Sequence, residues 1–114
     1  MSKKLCSKNK MISFKTKKYK DFVVLEFELK KNLTPEDLKE IKPPDPAKNK
    51  FSSKGVILSG RGPIWLYGYL IHFYHPTKFV AVYDPRLNSA VVVESHTTEI
   101  KIGNLIKIWN ILLC

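Results

Sequence analysis

The stretch Gly55-Val56-Ile57-Leu58-Ser59-Gly60-Arg61-Gly62-Pro63-Ile64-Trp65-Leu66, carried on through Tyr74-His75-Pro76 to Phe79-Val80-Ala81-Val82-Tyr83-Asp84-Pro85-Arg86, decides the fold of this chain. Val56 to Ser59 is a short apolar run of buried-strand type, and a helix opens at Pro63. That helix, Pro63 to His75, is apolar nearly all round and stops at Pro76, so it is expected to lie buried against a sheet. Phe79 to Tyr83 is a second buried strand, closing with Asp84-Pro85-Arg86. Strand, buried helix and strand in that order make a right-handed βαβ unit with parallel strands.

Upstream, Met11 to Lys31 holds two strands. Ile12-Ser13-Phe14 alternates apolar and polar, Phe22 to Leu29 ends in clean alternation, and Tyr19-Lys20-Asp21 is a hairpin turn between them. Leu33-Thr34-Pro35-Glu36-Asp37-Leu38 is a helix start, with Thr34 as N-cap, Pro35 in the first helical position, Asp37 reaching back as a capping box and Leu33 stapled to Leu38. Pro43 and Pro44 keep this helix short, and Lys42 to Lys54 follows as a polar loop. Downstream, Pro85 to Ser89 turns the chain back into Ala90 to Val93, an antiparallel strand. Gly103-Asn104 turns into a last strand, Leu105 to Leu113. The expectation is an α/β single domain: a mixed sheet of about six strands with two helices.

Composition sets the limits. A chain of 114 residues is one domain's worth, since a core of ordinary size takes roughly 100–150 residues. A multi-domain enzyme is excluded. With 44% hydrophobic and 11% aromatic residues, so is a wholly disordered chain. The longest apolar stretch, Ile64 to Tyr74, falls short of the ~20 residues of a membrane helix, and no apolar run follows the first lysines as a secretory signal would, so a cytoplasmic address is expected. Cys6 and Cys114 form no recognisable pair.

Net charge is +10, but eight lysines within residues 1–20 supply most of it, and the other 94 residues carry 12 bases against 10 acids. The body is therefore near neutral, and residues 1–10 form a basic arm that either binds an anionic polymer or merely solubilises. Only Arg61 and Arg86 of the 20 bases are arginine, both in short loop motifs. Each is either a bidentate anion contact or a structural partner of a carboxylate.

Ligands of open α/β sheets sit at the carboxyl ends of parallel strands, where both Ser59-Gly60-Arg61-Gly62 and Asp84-Pro85-Arg86 fall. Gly60 and Gly62 let backbone amides approach a ligand, and the helix opening at Pro63 offers unpaired N–H groups. A phosphate site is favoured over a plain tight turn. His72 and His75 stand at i, i+3, a spacing that serves a shared metal but more often pairs one packed histidine with one exposed; His72 is expected to be the packed one. If the strand ending near His96 runs antiparallel to Phe79–Tyr83, His96 descends to the same edge as His75. A 13-residue helix is ~20 Å long, so the histidines and Asp84 lie on opposite edges, and a site using both must be assembled between molecules stacked head to tail.

The strings from Gly55 to Leu66, Tyr74-His75, Phe79 to Leu87 and Ala90 to His96 closely resemble the small manganese-dependent, CARF-like ring nucleases of type III CRISPR systems, often called Csx-three. The resemblance covers roughly residues 11–112. It implies a CARF/Rossmann-like fold, also describable as ferredoxin-like, and degradation of cyclic tetra-adenylate, the second messenger of those systems. It also implies trimming of RNA 3′ adenylate tails and homodimers stacking head to tail into tetramers or filaments. Carried across, Ser59, Gly60, Arg61, Gly62 and Pro63 would hold the ring, Arg86 would contact phosphate, and His75, Asp84 and His96 would serve a Mn²⁺ ion or the chemistry. A sensor that binds the ring without cutting it is the non-enzymatic alternative.

Overall fold

The computed structural model describes residues 11–107. The expected basic arm, both cysteines and the end of the expected last strand lie outside them.

Alternating side chains form the first hairpin, β1 (Ile12–Lys18) and β2 (Phe22–Leu29), paired antiparallel with Ile12 opposite Leu29. A 3-10 helix, Pro35–Glu40, follows where the helix start was expected, entered through Thr34, whose backbone N–H donates to the Asp37 carboxylate at 2.8 Å. That hydrogen bond, aided by Lys31, holds the Asp37 carboxyl below the usual carboxylate range. The short helix expected here winds with i→i+3 hydrogen bonds, because Pro43 and Pro44 leave the segment too short to propagate an α-helix.

β3 (Gly55–Gly60) then pairs parallel to β2, and the α-helix α1 (Ile64–Phe73) carries the chain to β4 (Phe79–Asp84), parallel to β3. β5 (Ser89–Ser95) and the described part of the last strand, β6 (Leu105–Lys107), add antiparallel. The six strands lie side by side in chain order, β1 to β6. The carboxyl ends of β2, β3 and β4 therefore share one edge.

Strand alternation divides the core in two. Val23, Leu25, Phe27, Val56, Leu58 and Val80 face the helices and pack with Leu66, Leu70 and Tyr74; Val24, Ile57, Ala81, Ala90 and Val92 form a second cluster on the other face. Each fully buried aliphatic side chain contributes roughly 1.5–3 kcal/mol by leaving water. α1 is less buried than its composition suggests. Only Leu66 and Leu70 within it are buried, while Ile64 is 85% and Trp65 37% exposed, because the sheet covers a single side of the helix. α1 also spans ten residues rather than thirteen. Among the described residues no helix is long and apolar enough to cross a membrane.

Candidate functional site

Two constellations stand at opposite ends of the parallel strands. The first grows from the end of β3. Gly60 packs so tightly on Phe27 that a Cβ there would sit 2.5 Å from the Phe27 carbonyl oxygen, so no larger residue fits without movement. The Tyr67 hydroxyl, one turn into α1, donates to the Gly60 carbonyl at 2.5 Å, and its ring meets Phe27 edge-on at 5.3 Å. Burial pushes the Tyr67 hydroxyl above its ordinary pKa, which keeps it a donor. The loop Gly60-Arg61-Gly62 is thereby pinned from both sides. A cleft of about 600 Å³ opens beside it, lined by Ser59, Gly60 and Arg61 and, from the first hairpin, by Lys15, Glu26 and Glu28. Gly62 and Pro63 shape the entry to α1 without lining the cleft; the Pro63 carbonyl accepts from the Leu66 N–H at 3.0 Å.

Asp84 and Arg86 end the neighbouring strand. The Asp84 carboxylate accepts from the Arg86 backbone N–H at 2.9 Å and from its guanidinium at 3.2 and 3.4 Å. The Arg86 guanidinium beside it holds the Asp84 carboxyl below the usual range, and Arg86 is held above its own. Of the two roles open to the arginines, Arg86 has the structural one, folded onto Asp84, while Arg61 lines the cleft.

The second constellation is built where α1 hands over to β4. Tyr74 caps α1 with its ring buried and its hydroxyl donating to the Pro44 carbonyl at 2.7 Å. Buried Thr77 donates its hydroxyl to the Tyr74 carbonyl at 2.7 Å, fixing the link that holds His75 outward. The His96 N–H donates to the Lys78 carbonyl at 2.9 Å, which brings His96 beside this link. Its ring stands 5.1 Å from that of His75. Glu94 joins them: its Oε2 lies 3.6 Å from His75 Nε2 and 3.3 Å from His96 Nε2.

A β-bulge explains Glu94. Ala81 pairs with Val92 but Val80 pairs with Glu94, so Val93 is the extra residue. A bulge reverses the sides that follow it, and Glu94 and His96 come to the helix face beside His75 instead of continuing the Val92 side. The sequence reading had missed Glu94; its spacing of two from His96 was the available signal. His72, expected to be packed, is exposed and stands outside the group.

One donor atom from each of His75, Glu94 and His96 falls within 4.8 Å of the others. Two ligands each about 2.1 Å from one ion stand about 3.0–3.4 Å apart, so the Glu94 contacts fit a shared divalent cation with little movement. Two imidazoles and a carboxylate suit several first-row metals alike. Asp84 does not join this group. Five residue steps along β4 separate it from Phe79, about 17 Å at strand rise, so within one chain Asp84 and Arg61 lie at one edge and the histidines at the other.

The family model for CRISPR-associated protein (Cas_csx3) matches residues 26–107, which include every cleft and cluster residue except those on β1. A protein of Aquifex aeolicus (strain VF5), described as uncharacterized, is 56% identical over 108 residues, covering 94% of this chain and 97% of that one. With the matched segment spanning both constellations and most of the sheet, the chain belongs to the Cas_csx3 family of CRISPR-associated proteins.

Proposed function

We propose that this protein is a cytoplasmic metal-dependent nuclease that binds and opens cyclic tetra-adenylate, switching off type III CRISPR signalling. The observation that carries the reading is the His75, Glu94 and His96 cluster, three metal-capable donors converging at one exposed corner. A sensor that only binds the ring has no need of it. His75, Glu94 and His96 would hold the divalent cation, Mn²⁺ by the family resemblance. Bound there, the ion supplies Lewis-acid neutralisation of charge on a phosphodiester.

The chain's own residues do the rest. Arg61, with Ser59 beside it in the cleft, binds and orients phosphate at the opposite edge, and the N-terminus of α1, on the other face of the sheet, favours an anion at the same edge. Arg86 stands at the same edge, its guanidinium paired with the Asp84 carboxylate, and a phosphate of the ring would compete with Asp84 for it. Because the two constellations sit at opposite edges of one chain, a ring held by one molecule meets the cluster of another. Head-to-tail stacking of homodimers supplies that meeting.

The experiment is incubation of purified protein with cyclic tetra-adenylate and, separately, linear oligoadenylate, with and without Mn²⁺, resolving products by chromatography. Metal-dependent ring opening, reduced at least 100-fold in His75→Ala and Glu94→Gln, is expected. Cleavage of linear substrate alone moves the protein to 3′ RNA deadenylation. Binding of the intact ring without turnover moves it to the sensor class.

A further inference from the structure

The cleft carries a contradiction in charge that phosphate binding leaves unexplained. Strand alternation puts Lys15, Glu26 and Ser59 in one row across β1, β2 and β3, on the face turned away from the helices, with Ser13 and Glu28 in the adjacent row. A site shaped for phosphate alone gains from Lys15 and Arg61 and is opposed by two carboxylates, since like charges repel most where water is partly excluded. Glu26 is half-buried, and among the described residues no lysine or arginine forms an ion pair with it or with Glu28. An ionised carboxylate only accepts hydrogen bonds. Both therefore present acceptor oxygens that a ligand with N–H or O–H groups can satisfy. At about 600 Å³ the cleft has the size of ordinary small-ligand pockets, about 300–1,000 Å³, and suits one nucleotide unit of a larger ring.

We infer that Glu26 and Glu28 read the hydrogen-bond donors of a ribonucleotide, its 2′-hydroxyl or the exocyclic amine of its base, while Arg61 and Lys15 hold the phosphate. The inference rests on the proposed ring-binding function and adds to it the atoms that set specificity. Carboxylates accept both from ribose hydroxyls and from base amines in nucleotide sites generally, so the two donor sources share one chemistry.

The test is equilibrium binding, without Mn²⁺, of three fluorescent rings to the full chain: cyclic tetra-adenylate, its 2′-deoxy counterpart and cyclic tetra-inosinate, which lacks the amine. The wild type is expected to bind one of the altered rings at least 10-fold more weakly than cyclic tetra-adenylate. A weak deoxy ring names the ribose as the group read, and a weak inosinate ring names the base. Glu26→Gln and Glu28→Gln should bind the less favoured ring at least as tightly as the wild type at low salt, because a repelling charge has gone, while cyclic tetra-adenylate loses the contact that favoured it, so that the ratio between rings falls below 3-fold in at least one variant. Loss of selectivity together with undiminished affinity for the less favoured ring is a pattern that mere structural damage does not produce, and exposed Glu28 offers a variant with little folding risk. Equal binding of all three rings by the wild type, or an unchanged ratio in both variants, overturns the inference and leaves ring cleavage standing. No binding of cyclic tetra-adenylate overturns both.

Discussion

At the scale of single residues, the cleft depends on Gly60 staying where Tyr67 and Phe27 hold it. Removing the Tyr67 hydroxyl leaves the Gly60 carbonyl without that donor in a half-buried place, which costs about 1 kcal/mol. Tyr67→Phe should therefore lower the melting temperature by a few degrees and weaken ring binding several-fold, with little change in turnover of bound ring; calorimetry and titration check each part. A turnover loss with unchanged binding would place Tyr67 in the chemistry instead. The Asp84–Arg86 pair has a pH signature. Asp84 has its folded pKa lowered, so its contribution to stability is present above the ordinary aspartate value of about 3.9 and fades as pH falls through the lower folded one. Denaturant titrations of wild type and Asp84→Asn should thus differ at pH 7 and draw together as the pH falls below the ordinary aspartate value. Arg86 is exposed, so the difference is small and shrinks in salt.

At the scale of elements, the Val93 bulge decides which face of the sheet the metal cluster occupies. Deleting Val93 removes the extra residue and makes Glu94 the next after Val92, still opposite Val80, so regular alternation keeps Glu94 and His96 on the side of His75. The deletion should keep Mn²⁺ binding within a few-fold of wild type by titration calorimetry, whereas Glu94→Gln should abolish it; metal binding retained in Glu94→Gln would remove Glu94 from the ligand set. The same bulge marks the limit of what the sequence disclosed. Strands, turns and the order of helices were legible because Val23 to Phe27, Val56 to Leu58 and Phe79 to Tyr83 carry period and run length in their own residues, and Pro35, Pro63 and Pro76 punctuate them. The pairing of His75 with His96 was legible from topology, as was the separation of Asp84 from both. Glu94 was legible only as the same-face neighbour of His96; the bulge that turns both toward His75 was not, since it is a property of two strands in register and neither strand alone encodes it. Nor was the one-sided burial of α1, whose apolar surface says that it can be covered without saying by what.

At the scale of the molecule, about 17 Å of strand separates the edge that carries Asp84 and Arg61 from the edge that carries the His75–Glu94–His96 cluster. Arg61→Ala disables the first and His75→Ala the second. If a working centre forms between stacked molecules, equimolar mixing of the two inactive variants should restore activity, up to about a quarter of the wild type when subunits combine at random. Assays across mixing ratios check this, and no recovery at any ratio, from variants shown to be folded, would confine the reaction to one chain. Activity should also fall more steeply than linearly on dilution, as expected of a centre that exists only in the assembly.

The strands lie side by side in the order in which they are made, and this ordering splits the gene as cleanly as it splits the surface. Everything lining the cleft lies between residues 13 and 61, and the whole metal cluster between residues 75 and 96, with α1 as the seam. On the proposed function, recognition and reaction are thus separate paragraphs of one text. If so, a lineage could retune the ligand by changes in the first half without rewriting the second, and a ribosome finishes the cleft before the His75–Glu94–His96 cluster has been read.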